Sequence, residues 1–154
     1  MTTLAQMCAD ALRRDPAEAA IEFAGEWVSW GQLKQLADQL DLLIARCGIA
    51  DGAPVVLVSF NRPPAAAALL AVLAQGRSVR MVYGFQSAAA IARELATLSP
   101  VLVIAAVDVF SEVVRDALRA QGSAAIALSD DVASLVVGLE RCGSESGSGS
   151  GSGS

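Results

Sequence analysis

"VVLVSFNRPPAAAALLAVLAQGRSVRMVYGF", residues 55–85, holds a whole structural unit. An apolar run leads into the turn Asn61-Arg62-Pro63. An alanine-rich helical stretch follows, Gly76 stops it, and a second β-rich run closes on Gly84-Phe85. A short strand with no polar alternation must be covered on both faces. Two such strands separated by a helix are parallel, because parallel strands need a long crossover. Asn61 suits a turn through bonds to its own backbone, and Pro64 at the first helical position gives up an N–H that has no helical partner anyway. The unit is therefore βαβ, and ligands of such units lie at the carboxyl ends of the strands.

The same alternation continues toward the carboxyl end. Strands are expected over 54–59, 78–83, 101–105 and 124–128, with helices over 64–75, 88–98 and 108–121. Gly76 and Gly122 follow two of the helices, and Ser99-Pro100 breaks the third. Right-handed crossovers should join the strands, in the order second, first, third, fourth. Val56, Val58, Leu70, Leu73, Val79, Ile91, Leu95, Val103, Val114, Leu118 and Ile126 are the expected core. Beyond Asp130-Asp131, Val132, Leu135, Val136 and Leu139 fit a helical stripe that Gly138 weakens.

Toward the amino end, Leu4, Met7, Cys8, Ala11 and Leu12 mark a short amphipathic helix that Asp15-Pro16 stops. "AIEFAGEWVSW" reads as a hairpin around Ala24-Gly25-Glu26, packed at one end of the sheet. Ser29 and Gln32 form a capping box for a helix that carries Leu33, Leu36, Leu40 and Ile44 on one face and ends at Gly48. The fold class is α/β in three layers: a mostly parallel sheet of about four strands with helices on both faces, plus an N-terminal helix and a small β-hairpin. Residues 1–142 are expected to form one α/β subdomain. "GSESGSGSGSGS", residues 143–154, reads as a flexible linker or tag added to a protein cut near Arg141.

The chain is 54% hydrophobic and 18% charged, so it can bury a sizeable core. Net charge is −5, and all but one of the eleven cations are arginines scattered along the sequence, which argues against nucleic acid. The longest apolar run, 65–74, falls short of the roughly 20 residues a membrane span needs. Cys8, Cys47 and Cys142 are widely spaced and read as buried thiols of a cytoplasmic protein. Without histidine, the commonest general base and zinc ligand are absent. The chain has no GxGxxG, no GxxxxGK[ST] and no GxSxG. Asp130-Asp131 reads as a solvated turn, so no metal site is expected.

The ordered set of pieces resembles the front of the AMP-forming acyl-CoA synthetases and related adenylating enzymes, over about residues 18–128. Val28-Ser29-Trp30-Gly31-Gln32-Leu33 matches their hairpin and helix start, and Gly48-Ile49 with Asp51-Gly52 matches the end of that helix. Asn61-Arg62-Pro63 and Gln75-Gly76 match the turn and stop around the next helix. "YGFQSAAAIARELATLSPVLVIAAVD" is similar to the Gly-Phe-Ser stretch of short-chain members, whose backbone lies beside coenzyme A. The resemblance implies Gly84, Phe85 and Arg93 as a coenzyme A side, against the plainer reading of a strand–helix loop with a buried Phe and a surface Arg. It implies ATP, Mg and coenzyme A for a complete enzyme of fatty acid metabolism, but no catalytic residue and no bound cofactor for this stretch. Pro64 stands where relatives carry glutamate, and Val109-Phe110 where short-chain members place a coenzyme A arginine. The Ser/Thr/Gly-rich ATP loop and the catalytic lysine of the family are not matched.

An incomplete ligase would act as a scaffold, its expected partner being the remainder of the parent enzyme or a partner chain, with a homo-oligomer as a further form. Two other readings stand beside it: a non-catalytic α/β partner-binding module, and an engineered scaffold or fusion component.

Overall fold

The computed structural model describes residues 2–140; the readings of Cys142 and of the Gly/Ser stretch 143–154 lie outside the described residues. The elements run α1 (Leu4–Leu12), β1 (Ala19–Phe23), β2 (Glu26–Ser29), α2 (Trp30–Arg46), β3 (Val55–Ser59), α3 (Pro63–Ala74), β4 (Val79–Tyr83), α4 (Ala88–Leu98), β5 (Leu102–Ala106), α5 (Glu112–Gln121), β6 (Ala124–Leu128) and β7 (Ala133–Leu135). The main sheet is ordered β4-β3-β5-β6-β7. Its four parallel strands keep the expected order of second, first, third, fourth.

The fifth strand corrects the sequence reading. Residues 132–139 are not helical: β7 runs antiparallel to β6, pairing Leu135 with Ile126 and Ala133 with Leu128. The Val136 N–H donates to Ala125 O at 3.0 Å, and the Ala125 N–H donates to Leu139 O at 3.0 Å. A helix of eight residues containing a glycine would be marginal, whereas the open edge of β6 offers a ready ladder. Two helix starts also move. α3 begins one residue early, with prolines at its first two positions. α5 begins at Glu112, because residues Val107–Val109 form a 3-10 turn that tucks Phe110 into the core.

Two hydrophobic clusters sit on the two faces of the sheet. Leu57, Ile104 and Ile126 face α2 and α3, with Leu12 of α1 in the same cluster. Val58, Val103 and Ala125 face α4 and α5 through Leu95, Val114 and Leu118. Each fully buried Ile or Val contributes about 1.5–3 kcal/mol. α3 carries no charged residue and packs through Ala67, Ala68, Ala71 and Val72, small side chains that let it approach closely. Of the expected core, Leu70, Leu73 and Val79 are only half-buried: Leu70 and Val79 still pack against the α2–α3 cluster, Val79 from the edge strand.

The β1–β2 hairpin forms its own small sheet and packs Ile21 and Val28 against the α2–α3 cluster. Ile21 to Phe23 share a groove with Phe60 to Arg62, so the hairpin stands at the carboxyl end of the parallel strands. At the other end, buried Arg77 donates to Ala50 O at 2.8 Å and Ala53 O at 3.2 Å, fastening the loop before β3. Arg77 also donates to Gln75, whose Nε2 donates to Asp41 Oδ1 at 2.7 Å. Partial burial raises the Asp41 carboxyl above its ordinary pKa, and the Gln75 hydrogen bond offsets part of that rise.

Candidate functional site

β3 hands the chain to α3 on one face of the sheet, while its neighbour β5 leads to α5 on the other. Loops that leave adjacent strands in opposite directions open a crevice between them, the usual ligand position in open α/β sheets. A cleft of about 660 Å³ occupies that crevice. Its walls are Ser59 to Arg62 after β3, Gly84-Phe85 after β4, Ala106 to Val109 after β5, and Leu128 to Asp130 after β6. The volume lies within the range of roughly 300–1,000 Å³ for small-molecule sites.

The structure brings Gly84 and Phe85 into this wall and leaves Arg93 outside it. Gly84 is needed for a reason the sequence did not disclose. A Cβ there would lie 2.2 Å from the Ser59 carbonyl oxygen, so the glycine lets the ends of β3 and β4 meet. Ser59 Oγ reinforces the junction by donating to Val82 O at 3.2 Å. Phe85 is not the buried ring of the plainer reading; it is 59% exposed, tilted against Tyr83 with centroids 5.6 Å apart. Arg93 is exposed on α4 and does not line the cleft. Asn61, read as a turn former, makes no side-chain hydrogen bond among the described residues and lines the cleft instead.

Arg62, Asp108 and Asp130 are the charged residues of the wall, and sequence reasoning had assigned none of them to a site. All three are exposed, and none has a side-chain hydrogen bond or ion pair among the described residues. The signal available was positional: each follows the carboxyl end of a strand within three residues. Asp130-Asp131 does form an exposed turn. The Ser129 N–H donates to Val132 O at 2.9 Å, and Asp131 O accepts from Gln39 Nε2 at 3.1 Å. The cleft thus offers apolar walls, one cation and two carboxylates. Among the described residues that line it, no Ser, Cys or Lys is paired with a base.

The AMP-binding enzyme family model matches residues 8–147. The chain belongs to the AMP-binding enzyme family. Its structure is similar to a protein named as a long-chain-fatty-acid CoA ligase from Rhodopseudomonas palustris CGA009, at 25% identity and a TM-score of 0.64, covering 83% of this chain and 33% of that one. It is also similar to a benzoate CoA ligase from Burkholderia xenovorans LB400, at 17% identity and a TM-score of 0.68, covering 84% and 26%. An apo MatB from Rhodopseudomonas palustris matches at 18% identity and a TM-score of 0.66, covering 84% and 26%. This family member therefore spans about a third or less of the length of these solved relatives. No curated protein matches it in sequence.

Family membership implies ATP, and the start of α3 in this cleft does not fit its phosphates. A phosphate seated at a helix start needs free backbone N–H donors, and Pro63 with Pro64 removes two of them from α3. No group of three His, Cys, Asp or Glu among the described residues could hold Mg. Exposed Phe85 can lie against a flat or apolar group, and Arg62 supplies a cation. Gly84 offers no open cradle, since its side-chain space already meets Ser59.

Proposed function

We propose that the chain is the N-terminal portion of an AMP-forming carboxylate–thiol ligase and forms one wall of its acyl and thiol side. The full reaction would join a carboxylate to ATP, release pyrophosphate to give an acyl adenylate, and pass the acyl group to the sulfur of coenzyme A. The observation that carries this reading is a ligand-sized cleft at the strand crossover of a chain in the AMP-binding family. Apolar side chains from Phe60, Val107, Val109 and Leu128 suit a fatty or aromatic acyl group. Gly84 and Phe85 border the thiol side, with Arg62 rather than Arg93 as the cation nearest it. ATP and Mg would be held by other parts of the ligase, and its remainder is the natural partner of this portion.

Amide NMR of the chain titrated separately with coenzyme A and with ATP–Mg tests the reading. Coenzyme A is expected to move the amides of Ser59, Asn61, Gly84 and Phe85, and ATP–Mg to leave them unchanged. The chain alone should show no carboxylate-dependent ATP–pyrophosphate exchange. Exchange above background, or ATP shifts at residues 61–65 without coenzyme A shifts, would overturn the assignment.

A further inference from the structure

We propose that the β4 edge is a self-association surface, on which two copies of this chain pair antiparallel about a twofold axis at Met81 and merge their sheets. Among the described residues β4 pairs with β3 on one side only, so its outer side has no strand partner, although Tyr83 O accepts from Gln86 Nε2. Of the devices that blunt such an edge, β4 has one charged side chain, Arg80. Its register against β3 runs without a bulge from Val79 to Tyr83, and it contains neither proline nor lysine. Met81 and Tyr83 pair with Leu57 and Ser59, which places them on the α3 face, yet they are 52% and 62% exposed. Phe85 extends the row two residues further. The edge therefore carries an apolar ledge at the two-residue period of a strand.

Charge selects the occupant and its direction. Arg80 pairs with Val56, so it lies on the α4 face, where it shares a groove with Thr97 and Leu98 near the amino end of β4. It has no hydrogen bond or ion pair among the described residues. At the opposite end of the strand, Gln86 Nε2 donates to Tyr83 O at 2.7 Å and to Glu94 Oε1 at 2.9 Å, which pins the Glu94 carboxylate beside the carboxyl end of β4. In an antiparallel copy centred on Met81, Arg80 stands opposite Val82 of the other copy, next to that pinned carboxylate. The twofold axis then creates two Arg80–Glu94 pairs, whereas parallel pairing in register would stack Arg80 on Arg80. Such an interface is isologous and closes at the dimer. It does not depend on the ligase reading.

Size-exclusion chromatography with light scattering over a hundredfold concentration range reads the association. The mass should rise from the 15.8 kDa monomer toward twice that value. Arg80→Glu and Glu94→Arg each turn two attractive pairs repulsive and should weaken the dimer by about tenfold. The double variant should recover wild-type association, and Met81→Lys should abolish it. All these positions are exposed, so circular dichroism should be native in each variant. A monomer at every concentration would overturn the proposal, as would single variants that associate undiminished or a double variant that fails to recover.

Discussion

Gly84 avoids the left-handed region, and its requirement for glycine comes entirely from a neighbour, the Ser59 carbonyl 2.2 Å from any added Cβ. The resemblance set Gly84 beside coenzyme A and gave no sign of Ser59, because strand adjacency is not a local property. Gly84→Ala should therefore destabilise the chain by about 1–3 kcal/mol, since backbone rather than a flexible side chain must move. A urea-unfolding midpoint equal to wild type would show instead that the strand ends part freely. Asp41 sits at the opposite end of the sheet and gives a pH-dependent case. Its folded pKa is raised by partial burial, so the folded state holds the proton more tightly than the unfolded chain. Its charge accordingly lowers stability above the folded pKa, and that loss disappears as pH falls below the unfolded value of 3.8. Asp41→Asn keeps an acceptor for Gln75 and should raise stability at pH 7 by no more than about 0.5 kcal/mol, because the site is largely exposed. Thermal melts at pH 7 and pH 3 check this; a gain that persists at pH 3 would assign the effect to something other than charge.

The capping serines separate what an element's sequence shows from what its surroundings decide. Ser29 was legible as a cap, and both bonds of its box are present: the Gln32 N–H donates to Ser29 Oγ at 3.2 Å, and the Ser29 N–H donates to Gln32 Oε1 at 2.8 Å. Ser111 stands in the same position before α5, yet among the described residues its buried hydroxyl caps nothing and has no partner. Ser29→Ala should cost about 1 kcal/mol. Ser111→Ala removes a buried hydroxyl without a partner and should be neutral or stabilising. Comparing the two by chemical denaturation decides it; a loss at Ser111 equal to that at Ser29 would contradict the difference. The misread segment 132–139 has the same lesson. Its apolar spacing suits a helix, but its backbone bonds go to β6, a partner visible only once the sheet is assembled. The cleft divides likewise. The resemblance pointed to Gly84 and Phe85, which lie in its wall, and to Arg93, which does not, whereas Arg62, Asp108 and Asp130 converge only because four strands end side by side.

At the scale of the whole molecule, strand order was legible because continuous apolar strands, long crossovers and the single hand of βαβ units leave few ways to build the sheet. That order sets β5 between β3 and β6 and gives Val103 two strand neighbours, Val56 and Ala125. The side chain is fully buried on the α4–α5 face, in the cluster that holds Leu95, Val114 and Leu118. A carboxylate there would have no cation and no water, and burying it costs several kcal/mol. Domains of this size have only about 5–15 kcal/mol of stability, and the same charge would also loosen both helices that seal the face. Val103→Asp should therefore abolish cooperative folding, while Val103→Ala should keep the fold at a cost of about 2 kcal/mol. Far-ultraviolet circular dichroism and thermal melting of the two variants separate charge from lost volume. If Val103→Asp stays soluble with a native spectrum and a sharp melt, β5 does not lie where the sheet order puts it, and the cleft at its carboxyl end must be redrawn.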